Sequence, residues 1–261
     1  MLKIIYKQLC NLPPTAFVTD PDTEISKETI SLSDNVIERL LNQEPPEYVF
    51  NNAEFLNITL QTDSCVLIPR PETEELVNRI FANLKKNCKS RVAILDIGTG
   101  SGCIPVWLAV NFTNADYYAC DISEKAIETA QKNAELNNVK INFFRADILN
   151  NTGFDDEQKF DVIVSNPPYV LQSEKKFMSK NVLDYEPHTA LFVPDNNPLI
   201  FYKAICDFAT KHLNRAGKLY FEINERFPSE MKSLLEDSGF KNIKVEKDLF
   251  GKYRIAEAEY L

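Results

Sequence analysis

From residue 91 onward, short apolar runs alternate with longer stretches in which apolar residues recur every three or four positions. The runs at 92–97, 116–120, 141–145, 160–165, 218–223, 244–247 and 254–260 have the length and composition of strands. Between them, helical spacing predicts helices near 104–110, 124–137, 199–213 and 229–238, with Trp107 packing from the first of these against the sheet. Such alternation is the signature of an α/β fold, a mostly parallel sheet covered on both faces by helices. Upstream, Pro71 leads a helix with Leu76, Val77, Ile80, Phe81 and Leu84 on one face. The apolar stretches 48–50 and 55–60 flank Asn51-Asn52 and predict a β-hairpin connection. Residues 1–45 are more polar, with Leu32, Val36, Ile37, Leu40 and Leu41 at helical spacing, and predict a small helical N-terminal region. The expected division is therefore 1–45, a hairpin linker at 46–70, and the α/β domain at 71–261.

The chemistry concentrates where the predicted strands end. Residues 92–97 run into Gly98-Thr99-Gly100-Ser101-Gly102, which holds three of the chain's seven glycines and opens a helix. Glycines at alternate positions let a ligand approach the backbone closely. The next strand ends in Asp121, placed to hold the hydroxyls of a ribose, and the one after it leads to Asp147-Ile148, suited to an adenine ring. The run 160–165 stops at Asn166-Pro167-Pro168-Tyr169, because two prolines cannot continue a hydrogen-bonded ladder. A strand-ending turn explains the prolines by themselves, and a turn or cap explains Asp147 by itself. A row of polar strand ends at Asp96, Asp121, Asp147 and Asn166 calls for more, since ligands of open α/β sheets bind at the carboxyl ends of the strands. A dinucleotide site is the obvious competitor, but the turn reads Gly-x-Gly-x-Gly and lacks the final spacing of Gly-x-Gly-x-x-Gly.

Three further stretches make the pattern specific: Leu67-Ile68-Pro69-Arg70-Pro71-Glu72-Thr73-Glu74-Glu75-Leu76-Val77, Tyr185-Glu186-Pro187-His188-Thr189-Ala190-Leu191, and Lys247-Asp248-Leu249-Phe250-Gly251-Lys252-Tyr253-Arg254. With 95–104 and 165–169 they resemble class I S-adenosylmethionine-dependent methyltransferases, and among these the protein-(glutamine-N5) methyltransferases that modify peptide chain release factors. Asn-Pro-Pro-Tyr alone is shared with adenine and RNA-base methyltransferases; the stretch 68–74 discriminates. The resemblance covers roughly residue 44 to the end. It implies a Rossmann-like seven-stranded methyltransferase sheet with the last strand inserted antiparallel, and an N-terminal region that recognises the substrate. It also implies S-adenosyl-L-methionine as methyl donor, S-adenosyl-L-homocysteine as product, and a release factor as protein partner. The N-terminal region is shorter than the family's, Glu44-Pro45-Pro46-Glu47-Tyr48 with Asn51-Asn52 replaces a more glycine-containing stretch, and Pro105 stands where a small residue is commoner.

Composition narrows the setting. The net charge is −9, whereas duplex-binding proteins gain affinity by neutralising phosphates from a basic face, so a protein substrate is favoured and no stable nucleic-acid binding is expected. The patch Lys85, Lys86, Lys89, Arg91 reads as a solvated helix end and Asp155-Asp156-Glu157 as an exposed loop. Six scattered cysteines (10, 65, 88, 103, 120, 206) without a Cys-x-x-Cys pair point to reduced thiols in a cytoplasmic protein, with no metal. No run spans a bilayer, no signal peptide is visible, and the only histidines are His188 and His212, which leaves a histidine-centred triad little to draw on.

A glutamine amide nitrogen is a poor nucleophile because its lone pair is delocalised into the carbonyl. The expectation is that Asn166 and the Pro167 carbonyl, the catalytic positions with Tyr169, accept the two amide N–H bonds while Tyr169 lies flat against the amide. Alignment of this kind is worth on the order of 7–11 kcal/mol of barrier, so no general base is needed for transfer. Gly98, Thr99, Gly100, Ser101 and Gly102 are expected to approach the amino-acid part of the cofactor, Asp96 its ammonium group or the turn, Asp121 the ribose, and Asp147 with Ile148 the adenine; Asn166 borders the cofactor too. Pro168, Arg70 and Glu72 complete the expected substrate pocket, the alternative for the last two being an ion pair at a helix start. Two other functions stay open on the residues alone: an adenine-amine methyltransferase acting on DNA or RNA, with a flipped base stacked on Tyr169, and a cofactor-binding scaffold without catalysis. The long connection 170–198 is expected to wall or cover the site.

Overall fold

A computed structural model describes residues 9–10, 12–13, 15–20, 22–87 and 90–261. The short helices and hairpin of the N-terminal third are α1 (Ala16–Thr19), α2 (Lys27–Leu41), α3 (Pro46–Val49), β1 (Asn52–Phe55) and β2 (Ile58–Gln61). The remainder runs α4 (Pro71–Asn87), β3 (Val92–Ile97), α5 (Cys103–Asn111), β4 (Ala115–Asp121), α6 (Glu124–Leu136), β5 (Asn142–Arg145) and β6 (Phe160–Ser165). It continues with β7 (Val170–Leu171), α7 (Lys180–Tyr185), β8 (Phe192–Val193), α8 (Ile200–His212), β9 (Leu213–Glu222), α9 (Pro228–Asp237), β10 (Lys241–Lys247) and β11 (Tyr253–Glu259).

The main sheet has seven strands in the order β10-β11-β9-β6-β3-β4-β5. All are parallel except β11, which lies antiparallel between β9 and β10. The inserted last strand is thus as the resemblance implied. Strand order reverses between β3 and β6, the place where open α/β sheets bind ligands. Alternation along β3 divides the core: Val92 and Ile94 face α4 and α5, while Leu95 and Ile97 face α8 and α9. Helix α4 buries Leu76, Val77, Ile80 and Leu84, each worth roughly 1.5–3 kcal/mol relative to exposure. Pro105 sits in the first turn of α5, where its missing N–H would have no helical partner anyway.

Two N-terminal expectations need correction. The hairpin exists, but residues 48–49 belong to α3, where Pro46 takes the first helical position. Asn51 is left-handed (φ 53°), so the Asn-Asn signal is real, yet it ends α3; the hairpin turns at Leu56-Asn57 instead. In α2 only Val36 of the apolar positions is buried, and Leu32 and Leu41 are exposed.

The hairpin is fastened to the domain by polar side chains. The indole N–H of Trp107 donates to Asn57 Oδ1 at 2.7 Å, and Phe81 meets the indole edge-on. Asn133 on α6 is fully buried and bridges three backbone groups: it accepts from Gln61 N at 2.5 Å, donates to Gln61 O at 2.9 Å and donates to Ser101 O at 2.8 Å. Asn133→Ala strands all three groups, and each unsatisfied buried group costs about 1–3 kcal/mol. Urea unfolding followed by far-UV circular dichroism is expected to show a loss of at least about 2 kcal/mol; a midpoint unchanged from the parent contradicts this anchoring.

Candidate active site

The sheet register sets the site. Phe221, Ser165, Ile97 and Cys120 stand side by side on neighbouring strands, so Glu222, Asn166, Gly98 and Asp121, one residue further along each, emerge together. Ser165 donates its hydroxyl hydrogen to Ile97 O at 2.6 Å, pinning β6 to β3 at the switch point. A cavity of about 460 Å³ opens there, within the range of small-ligand sites. Gly98, Thr99, Gly100, Ser101, Asp121, Asp147, Ile148, Asn166, Pro167, Pro168 and Arg70 all line it. Cys65, Val66 and Leu67 from the segment after β2 line it too. The connection 170–198 supplies Thr189, Ala190 and Phe192 and so forms a wall, as expected. It is tied down by Tyr185, which donates to Asn42 O at 2.9 Å, and by Glu186.

Four expected residues stand elsewhere. Gly102 packs: a Cβ there would meet Ala130 Cβ at 3.0 Å, so its absence lets the turn approach α6. Asp96 lies buried beneath the turn, Glu72 is outside the lining, and Tyr169 points its hydroxyl away to Glu222. Arg70 does not pair with Glu72 at the helix start; it pairs with Glu186 at 2.5 Å, clamping the wall to α4.

The glycine turn is open on its cavity side. Gly98 (φ 75°) and Gly100 (φ 53°) have no atom within 4 Å of where a Cβ would stand. Backbone N–H bonds brace it: Gly98 and Thr99 donate to Cys120 O, and Gly100 donates to Asp121 Oδ2 at 3.0 Å. Asp121 also accepts from Ser123 N at 2.9 Å, and burial pushes its carboxyl above the usual range. Asp147 accepts from Leu149 N and from the Asn150 side chain, which holds its carboxyl below the usual range; it caps a turn as well as lining the cavity. Neither carboxylate oxygen of Asp96 has a hydrogen-bond partner among the described residues. Burial pushes this carboxyl up to about 7; the Thr99 hydroxyl opposes the shift and Asp121 adds to it.

Asn166 sits at the head of a chain of hydrogen bonds. Its Nδ2 donates to Thr73 Oγ1 at 3.2 Å, Thr73 donates to Glu222 Oε2 at 2.6 Å, and Tyr169 donates to Glu222 Oε1 at 2.8 Å. Among the described residues no donor reaches Asn166 Oδ1 or the Pro167 carbonyl. Thr73 and Glu222 were missed from the sequence. Thr73 lay inside the discriminating stretch, but Glu222 ends a strand with no motif around it.

Asn166 Oδ1 and the Pro167 carbonyl thus stand without donors beside an open glycine turn, and the chain is similar to known proteins. A model of the methyltransferase small domain matches residues 76–185. The release factor glutamine methyltransferase of Flavobacterium psychrophilum is 45% identical over 98% of this chain and 90% of its own length. That of Lactococcus lactis is 38% identical over 97% of this chain and 92% of its own. The chain belongs to the release factor glutamine methyltransferase family. The enzyme's fold is likewise shared with solved structures. A methyltransferase from Pyrococcus furiosus superposes with a TM-score of 0.56 at 22% identity, covering 87% of this chain and 98% of that one. A 16S rRNA methyltransferase from T. thermophilus, solved with AdoMet and guanosine, gives 0.57 at 20% identity, covering 80% of this chain and 50% of that one.

The burial of the Asp96 carboxyl makes stability depend on pH. Its folded pKa, about 7, lies above the unfolded value, so its contribution is full below about pH 4 and is lost as the pH rises through 7. In the ligand-free enzyme, Asp96→Asn is therefore expected to gain stability relative to the parent on going from pH 4 to pH 8, read as urea midpoints. A difference between the two proteins that does not change with pH contradicts the buried carboxyl.

Proposed function

We propose that the enzyme transfers a methyl group from S-adenosylmethionine to the side-chain amide nitrogen of the glutamine in the Gly-Gly-Gln motif of class 1 peptide chain release factors. The observation that carries this reading is the pair of unclaimed acceptors, Asn166 Oδ1 and the Pro167 carbonyl, at the carboxyl end of β6. An amide NH₂ group brings two donors to two acceptors, and the two bonds fix the amide plane, to which the nitrogen lone pair is perpendicular.

The residues fit the methyl donor. The space beside Gly98 and Gly100 admits a ligand against bare backbone, Asp121 suits ribose hydroxyls, and Asp96, buried beneath the turn, is read as orienting it. Ile148 and Asp147 line the part of the cavity assigned to adenine. When bound, S-adenosylmethionine supplies a methyl group already made electrophilic by a sulfonium. The chain's own task is orientation: Asn166 and Pro167 hold the amide, Pro168 and Arg70 line the approach, and the wall at 189–192 excludes water. Holding the reacting atoms aligned is worth on the order of 7–11 kcal/mol, enough to leave proton loss until after transfer. Glu72 is outside the lining, and its part in the substrate pocket is reserved for contact with the protein substrate at the rim.

Residues 1–45 are read as a docking region for the release factor, and the exposed Leu32 and Leu41 of α2 are available for it. The reading needs no metal, and the acidic charge of −9 favours a protein over a nucleic-acid acceptor. No helix among the described residues is long and apolar enough to cross a membrane. With the described cysteines unpaired, the cytoplasm is the natural setting.

The test offers methyl-labelled S-adenosylmethionine with three separate acceptors: a release factor, the same factor with its Gly-Gly-Gln glutamine changed to glutamate, and DNA. Label is expected on the first alone, and label on DNA alone overturns the reading. Asn166→Ala is expected to keep cofactor binding while kcat falls about 100-fold or more; unchanged turnover removes the role given to Asn166.

A further inference from the structure

The cavity needs an acceptor at Asn166, yet an asparagine amide presents either an oxygen or an NH₂ group depending on a half-turn of its end. Nothing in Asn166 itself selects one face. The selection is made at Thr73 and Glu222.

Glu222 is fully buried, and its two oxygens accept from Thr73 and Tyr169. Burial is the dominant influence and raises its carboxyl pKa above the usual range, with Glu72 adding to the rise, while the Thr73 and Tyr169 hydroxyls and the Arg254 guanidinium oppose it. The Thr73 hydroxyl gives its single hydrogen to Glu222 Oε2 at 2.6 Å, which leaves only lone pairs toward Asn166. A lone pair can be met only by Asn166 Nδ2, and so Oδ1 is turned to the cavity. The hydrogen-bond direction thus runs one way along Asn166, Thr73 and Glu222, and the first turn of α4 supplies the middle member.

We infer that Thr73 is a positioning residue that, held by Glu222, fixes the Asn166 amide with its oxygen toward the acceptor site and so makes the enzyme select an N–H-bearing amide over a carboxylate. The inference rests on the reading of Asn166 as the residue that holds the acceptor amide. Tyr169 donates to the second oxygen of the same carboxyl, so one buried group orders both side chains that flank the two prolines.

The experiment compares Thr73→Val, which keeps the shape without the hydroxyl, with Thr73→Ser, which keeps the hydroxyl. Because Thr73→Val leaves the Glu222 carboxyl short of a partner, the pair Thr73→Val with Glu222→Gln is made alongside it to remove that carboxyl. For the valine protein, or for the pair if the single variant does not fold, kcat for release-factor methylation is expected to fall about 100-fold. S-adenosylmethionine Kd by calorimetry is expected to stay within about twofold of the parent, since the cofactor cradle is untouched. Inhibition by the release factor carrying glutamate in place of the glutamine is expected to strengthen, because an amide free to turn offers a donor to a carboxylate. Thr73→Ser is expected to restore parental kcat and discrimination. A folded valine protein or pair with parental kcat, or a serine protein as impaired as the valine one, overturns the inference. If Asn166→Ala is inactive while the valine protein is active, only the positioning role fails; an active Asn166→Ala removes the underlying reading as well.

Discussion

The fully buried Glu222 carboxyl at the end of β9 is met by hydroxyls from two directions. The cost of leaving such a group unpaired is several kcal/mol. That cost fixes where the first turn of α4 and the residues after β6 can sit relative to the sheet. Thr73 comes from the helix that opens the α/β domain and Tyr169 from the turn that ends β6, and both reach the same side chain. The Tyr202 hydroxyl adds a bond of 3.0 Å to the Glu222 carbonyl, so α8 is held at the same point. The side chains of Thr73 and Tyr169, beside Asn166, are therefore ordered from below by one buried carboxyl.

The cofactor side is built on a different device. Parallel register brings four strand ends to one level, and each then leaves the sheet for a different reason: glycines at 98–102, a helix cap at Ser123, prolines at 167–168 and Asn224 after β9. Backbone donors of the glycine turn are spent on Cys120 and Asp121, which makes the turn rigid and leaves its open side bare. Asn133 carries that rigidity outward to the hairpin, and Arg70 with Glu186 carries it to the wall.

Much of this was legible in the chain. The alternation of apolar runs gave the α/β architecture, and the glycine turn, the Pro-Pro break and the aspartates at strand ends located the site, because each is dictated by local backbone chemistry. The hairpin was placed one turn too early, since Asn51 signals a left-handed residue without saying whether it closes a hairpin or ends a helix. The ion pair weighed for Arg70 and Glu72 is local in sequence, and the actual partner of Arg70, Glu186, lies 116 residues away. Thr73 with Glu222 spans 149 residues. Such pairs depend on which strands become neighbours, and the pattern along the chain specifies which strands form more readily than how they are ordered. Gly102 shows the same limit: it belonged to the expected ligand turn, yet the close approach it permits is to α6.

Family membership states the class of reaction, and the proposal for how this chain carries it out rests on Asn166 Oδ1 and the Pro167 carbonyl, acceptors without donors among the described residues, beside the hydrogen bonds from Asn166 through Thr73 to Glu222. The most direct measurement is a crystal structure of the enzyme with S-adenosylhomocysteine and a Gly-Gly-Gln peptide from a release factor. The account predicts the glutamine side-chain nitrogen within about 3 Å of both Asn166 Oδ1 and the Pro167 carbonyl, the ordinary length of an N–H···O bond. A glutamine whose carbonyl oxygen faces Asn166, or whose nitrogen is held by other residues, would contradict it.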